Sequence, residues 1–139
     1  RIFKVCFMKI YILSTLLFFS LSTVFSQSGI KTFSESQIKT AICHKWKLTY
    51  LEGKGKKVTI PNNGPVLILG FNADGKLFES DGKNNYNGTW TYNHSTFTIT
   101  TNDKDGEEKH IILDVTGTQL IMKSKFKGIP FNMGLQKID

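Results

Sequence analysis

The stretch Asn85–Asn93, NYNGTWTYN, decides how the chain is read. Tyr86, Gly88, Trp90 and Tyr92 share one parity, and Asn87, Thr89 and Thr91 take the other. Period-two alternation is the mark of a strand with one buried face, not of a helix. An earlier stretch, HKWKLTY at 44–50, repeats the pattern with Trp46, Leu48 and Tyr50 set against Lys45, Lys47 and Thr49. Two Trp-centred strands in one small chain must either grip a ligand or grip each other.

Outward from these strands the chain keeps the same rhythm. PVLILGF, KLFES, TFTITT, KHIILDV, QLIMKSKF and FNMGLQKI read as further short strands. Asp-Gly turns at NADG, DGKN and NDKDGEE separate several of them, and Asp-Gly is a hairpin signal. GKGKKVTIPNNG reads as a Gly- and Lys-rich loop. No helical spacer separates the strands, and parallel pairing needs one, so the order is an antiparallel meander. About eight such strands remove their edges by closing into an up-and-down barrel. The fold class expected is therefore all-β. A short amino-terminal helix comes first: Ser34 and Gln37 have capping-box spacing, and Ile38, Ala41 and Ile42 fall on one face. Three turns are too few to stand alone, so this helix must dock on an apolar surface; Val66 and Ile68 are the expected place.

Parity picks the inward face: Trp46, Leu48, Tyr50, Leu67, Leu69, Phe71, Phe78, Tyr86, Trp90, Tyr92, Phe97, Ile99, Ile111, Leu113, Val115, Leu120, Met122, Met133 and Leu135. Such an interior is just wide enough for side chains to fill it or to hold one small ligand. If a cavity is present, Trp90, Tyr92, Phe97, Leu113 and Met122 are its expected wall residues, being mid-sheet on the inward parity.

The chain has 139 residues, room for one domain. From Met8 it reads MKIYILSTLLFFSLSTVFSQ, with Lys9 as a basic start, an apolar run from Ile10 to Phe19 and a small-residue cut site at Val24–Ser26. That is a signal peptide at 8–26. Residues 1–7 read as upstream translated sequence, and 27–139 as the single barrel domain. The apolar run is broken by Ser14, Thr15, Ser20, Ser22 and Thr23 and falls short of a membrane span. The expectation is a secreted or periplasmic protein with no stable membrane anchor after cleavage. Gln27, not Cys, follows the cut, so it is not a lipoprotein. From Gln27 onward there are 15 lysines, no arginine and 11 carboxylates, a net charge of +4. Lysines spread along the chain without arginine argue against nucleic acid as a partner. Cys43 is the one cysteine of that segment, so no internal disulfide is expected there.

The order of Lys45-Trp46-Lys47-Leu48, ILGFNADGKL, NGTWTYNHSTFTIT and TGTQLIMKSK resembles the lipocalin-like domains common in proteins secreted by Gram-negative bacteria. The likeness covers about residues 40 to 138. One position departs from the pattern: His44 stands where lipocalins proper favour Gly, two residues before the first Trp. The resemblance implies the barrel fold and, at most, a binding module.

Other chemistry is thin. Cys43, His44, His94 and His110 lack metal-ligand spacing. NDKDGEE has Thr101 and Ile112 where a calcium loop needs carboxylates. Asn87-Gly88-Thr89 and Asn93-His94-Ser95 match the glycosylation pattern but read as strand and turn chemistry. No catalytic residue, metal ligand or cofactor site is expected, and the protein is not read as an enzyme. The function expected is non-catalytic binding of a small apolar or amphipathic molecule. The alternative is a protein-interaction or structural module with a filled core, working on a protein partner through the Lys54, Lys56 and Lys57 loop.

Overall fold

Helix α1 spans Glu35–Ile42 after a single 3-10 turn at Ile30–Thr32. The computed structural model describes residues 30–139; the expected signal peptide and the residues before it lie outside them. The helix starts where its capping box places it. Ser34 Oγ accepts the Gln37 amide at 3.3 Å, and the Gln37 side-chain oxygen accepts the Ser34 amide at 2.8 Å. Ile38 and Ile42, four residues apart, are fully buried.

Nine strands follow: β1 Lys45–Gly53, β2 Lys56–Thr59, β3 Ile68–Phe71, β4 Lys76–Ser80, β5 Asn85–Asn93, β6 Thr98–Asp103, β7 Gly106–Val115, β8 Gln119–Phe126 and β9 Ile129–Lys137. Every pairing is antiparallel, and β9 returns to pair with β1, which closes the ring. The ring has eight positions, because one edge of β1 is shared. Lys45–Lys47 pair with β3, and Tyr50–Gly53 pair with β2. The expected eight-position barrel is thus the fold. The one added strand, β2, lies in the segment read as a loop.

Two bulges reset the inward parity. In β1 the register shifts between Leu48 and Tyr50 where the strand meets β9. Trp46 and Leu48 point inward, Thr49 is the extra residue, and Leu51 then takes the inward place across from Met133. Tyr50 is turned to the outer face over Gly134, contrary to the parity expectation. In β7 the shift falls between Ile112 and Asp114. His110 and Ile112 are buried, Ile111 is 45% exposed, and Leu113 is the bulge residue. Ile111 and Leu113 were both expected inside; the bulge lets Val115 return to the core.

Two more expectations of the inward face are corrected. In β4 it is Leu77 that is buried; Phe78 is outside, across from Gly70, with Lys45 Nζ 5.8 Å above its ring. Phe97 is not in a strand. It ends the β5–β6 turn in the left-handed region, φ 52°, half-buried against the core.

The helix closes the end of the barrel where β1 begins. The indole Nε1 of Trp46 donates to Ile42 O at 2.8 Å, and Ile38 and Ile42 join the same core as Trp46, Leu120 and Leu135. The helix runs beside β7, not onto Val66 and Ile68; Val66 lies at the other end, against Gly82. Among the described residues, no helix is long and apolar enough to cross a membrane.

Candidate binding site

The interior divides along the barrel axis. Toward the helix it is filled by Trp46, Leu48, Leu69, Phe71, Ile99, Leu120, Met122 and Leu135, none more than 2% exposed. Residues directly opposite each other across an antiparallel pair share a face. By that rule the half away from the helix carries polar side chains on its inner wall. Glu79 faces the same way as Leu69 and Tyr86, and Glu108 the same way as Thr101.

A concave site lies where helix and barrel meet. It is a cleft of about 380 Å³, within the range of small-molecule sites. Lys39, Thr40 and Cys43 line it from the end of α1, Ala73 and Gly75 from the β3–β4 turn, and Trp90, Thr91 and Tyr92 from β5. Each wall is held by local chemistry. The β3–β4 turn is closed by the Gly75 amide donating to Asn72 O at 3.0 Å, with Gly75 in the left-handed region at φ 82°. The Trp90 indole Nε1 donates to the same Asn72 carbonyl at 2.8 Å, and the Trp90 amide donates to Gly75 O at 2.9 Å. Phe71 meets Trp90 edge to face, with centroids 5.3 Å apart. These contacts fix the indole as a rigid wall. The Tyr92 hydroxyl is 3.2 Å from His94 Nδ1, and His94 in turn stands edge-on to Phe97 at 5.4 Å.

Thr91 and Tyr92 bring hydroxyls from β5, and the other polar groups of the cleft come from the helix end. Lys39 Nζ is 2.9 Å from Glu35 Oε1, an exposed i,i+4 pair, and the Thr40 hydroxyl donates to Ser36 O at 2.9 Å. Burial pushes the Cys43 thiol above its ordinary range, against the opposing pull of Lys39, so it is a neutral thiol at neutral pH. His44, next in sequence, is engaged elsewhere: its Nδ1 is 3.3 Å from Asp139 Oδ1. The cleft therefore offers two aromatic faces, one ammonium, three hydroxyls and a thiol. That arrangement can enclose an apolar body and hydrogen-bond one polar end. Among the described residues no group of three or more His, Cys, Asp or Glu is placed to hold a metal ion.

Of the five expected wall residues, the structure brings Trp90 and Tyr92 together in this cleft. Phe97 stands behind them, touching His94. Met122 is fully buried in the filled half of the barrel beside Met133 and Ile112, and Leu113 occupies the β7 bulge. Sequence reasoning missed Lys39, Thr40, Cys43, Ala73 and Gly75. The capping box gave the helix but not the end of the barrel it covers, and only that placement brings its last turn opposite β5.

A second polar locus was also missed. His110 is buried in the barrel wall, with Nδ1 2.6 Å from Ser124 Oγ and Nε2 3.3 Å from Thr101 Oγ1. Burial lowers its pKa to about 4, so the ring is neutral at neutral pH; both hydroxyls can give or take a proton, so both ring nitrogens are satisfied. Toward the far end, Glu79 is pushed up to about 7, first by burial and then by the charges of Asp103 and Glu108. Burial raises Glu108 as well.

Compared with known proteins, residues 42–122 match the family model described as a lipocalin-like domain. No curated protein matches the chain.

Proposed function

The chain belongs to the lipocalin-like domain family, and from that premise we propose that it is an exported, non-catalytic binding module for a small apolar or amphipathic molecule. The cleft of about 380 Å³ between α1 and β5 carries this reading. Its Trp90 face is immobilised by two hydrogen bonds into the β3–β4 turn and by Phe71. A pre-set aromatic wall gives affinity because little ordering remains to be done on binding. The packed half of the barrel argues in the same direction: with Met122, Leu69 and Ile99 at most 2% exposed, the ligand sits at the helix-covered end and not deep among them. Export is supported by the basic, apolar and small-residue order of residues 8–26.

The test is a titration with a naphthalene sulfonate dye, whose apolar rings and single charge suit Trp90, Tyr92 and Lys39. Two substitutions act from different sides: Trp90→Leu removes the wall, and Ala73→Phe fills the cleft from the turn. Both are expected to weaken binding at least about tenfold, roughly the 1.4 kcal/mol of one good aromatic contact. Phe78→Leu, on the outer face, is expected to leave it unchanged. Equal affinity in all four proteins would place the site elsewhere.

A further inference from the structure

One side of the barrel end away from the cleft is lysine-rich, and we propose that this side docks the protein reversibly on an anionic lipid surface. β9 pairs with β1, so the β1–β2 and β8–β9 hairpins stand side by side; a Cβ at Gly53 would touch Phe131 and the Pro130 carbonyl. Lys54, Lys56 and Lys57 ride on the first hairpin and Lys125 and Lys127 on the second, all exposed. Among the described residues none of these five ammonium groups makes an ion pair. Residues 53–73 and 115–138 hold seven lysines and no Asp or Glu, and Glu52, across from Lys57, is the nearest carboxylate in these two hairpins. The β6–β7 hairpin turns at the same end beside the β8–β9 hairpin and carries the acids Asp103, Asp105, Glu107 and Glu108, so the basic face is the side of that end formed by the β1–β2 and β8–β9 hairpins.

The two turns share an unusual feature. Lys54 (φ 51°) precedes Gly55 (φ 74°), and Lys127 (φ 49°) precedes Gly128 (φ 78°). Both central residues are left-handed, which favours Asn, Asp or Gly at the first. Lysine there is strained, and it stands at the tip of both neighbouring hairpins. Each hairpin also shows water a large aliphatic side chain, Val58 at 37% and Ile129 at 40% exposed.

This mixture separates a membrane from an acidic protein. Lysines without arginine give point charges suited to a diffuse anionic surface, not forked pairing with individual carboxylates. An exposed aliphatic side chain on a lysine-bearing hairpin can enter the acyl boundary while the ammonium groups stay among the headgroups. The basic side is at the opposite end from the cleft, so this inference stands apart from the ligand reading.

The experiment is sedimentation of residues 27–139 with vesicles of phosphatidylglycerol and phosphatidylcholine, against phosphatidylcholine alone. Binding is expected only to the anionic vesicles and to be lost as salt rises. Lys54→Gly with Lys127→Gly removes two charges while relieving two strained positions, so it should fold with the same or higher Tm and yet partition about 30-fold more weakly. Ile129→Ser should weaken binding with charge unchanged. The proposal is overturned if the double glycine variant binds like wild type. It is also overturned if Ile129→Ser has no effect while soluble polyglutamate competes fully with the vesicles, which would assign the basic side to an acidic protein.

Discussion

Tyr50 lies over Gly134 so closely that a single methyl group on Gly134 would fall within its ring. The pair sits on the outer face, where the β1 bulge turns Tyr50 away from the core, and Lys57 Nζ covers the ring from above at 3.8 Å. Gly134→Ala is therefore expected to destabilise the barrel by about 1–3 kcal/mol through overpacking. In a Tyr50→Ala background the same change should cost little. Urea titrations of the four proteins measure the coupling; additive losses would contradict the contact.

The helix is held to the barrel through Trp46. Trp46→Phe keeps most of the buried ring and removes the 2.8 Å bond to Ile42 O. Ile42 O keeps the His44 amide at 2.7 Å, so the expected loss is that of one hydrogen bond, about 0.5–1.5 kcal/mol. Because α1 forms one wall of the cleft, dye affinity should fall with it. Ser34→Ala, which breaks the capping box, should cost about 1 kcal/mol by the same measurement.

Much of this architecture was legible in the chain, and the rest fails for identifiable reasons. Asp-Gly turns and period-two alternation are local signals for the eight ring positions, as the Ser34–Gln37 capping box and the Ile38, Ala41, Ile42 spacing are for the helix. A bulge leaves no comparable mark. Thr49 and Leu113 look like ordinary strand residues, yet each inserts one place and reverses the parity on one side, which misplaced Tyr50 and Ile111. KLFES was ambiguous because Leu77 and Phe78 are both apolar; Gly70, in the neighbouring strand, makes the outer face the roomier side for Phe78. β2 was hidden because its turn uses Lys-Gly where Asn-Gly is the usual signal. For the cleft, Trp90 and Tyr92 could be read from strand parity, but its helix side needs a long-range docking that no spacing encodes.

His110 sets one arm of the pH dependence. Its pKa falls from 6.5 to about 4 on folding, so the unfolded chain holds more protons between these values. Stability is full above about pH 6.5 and is lost as pH falls toward 4. Ser124→Ala leaves a buried ring nitrogen without its 2.6 Å partner and should cost about 1–3 kcal/mol at pH 7. Denaturation across pH 4–8 checks both.

Glu79 acts in the opposite sense. Its folded pKa of about 7 lies above the ordinary 4.5, so the folded state holds the extra proton between these values. The stability it contributes is present below about pH 4.5 and is lost as pH rises through 7. Glu79→Gln should therefore gain on wild type as pH rises, reaching about 1–2 kcal/mol at pH 8 after allowance for solvent screening. A variant whose stability parallels wild type from pH 4.5 to 8 would show that Glu79 ionises freely.

Native mass spectrometry of the protein isolated from its own host tests the binding account most directly. The account predicts a chain beginning at Gln27 that carries a small-molecule mass, removable by organic solvent and absent from Trp90→Leu isolated in the same way. A bare mass in wild type, with no quenching of tryptophan emission when the solvent extract is added back, would contradict it.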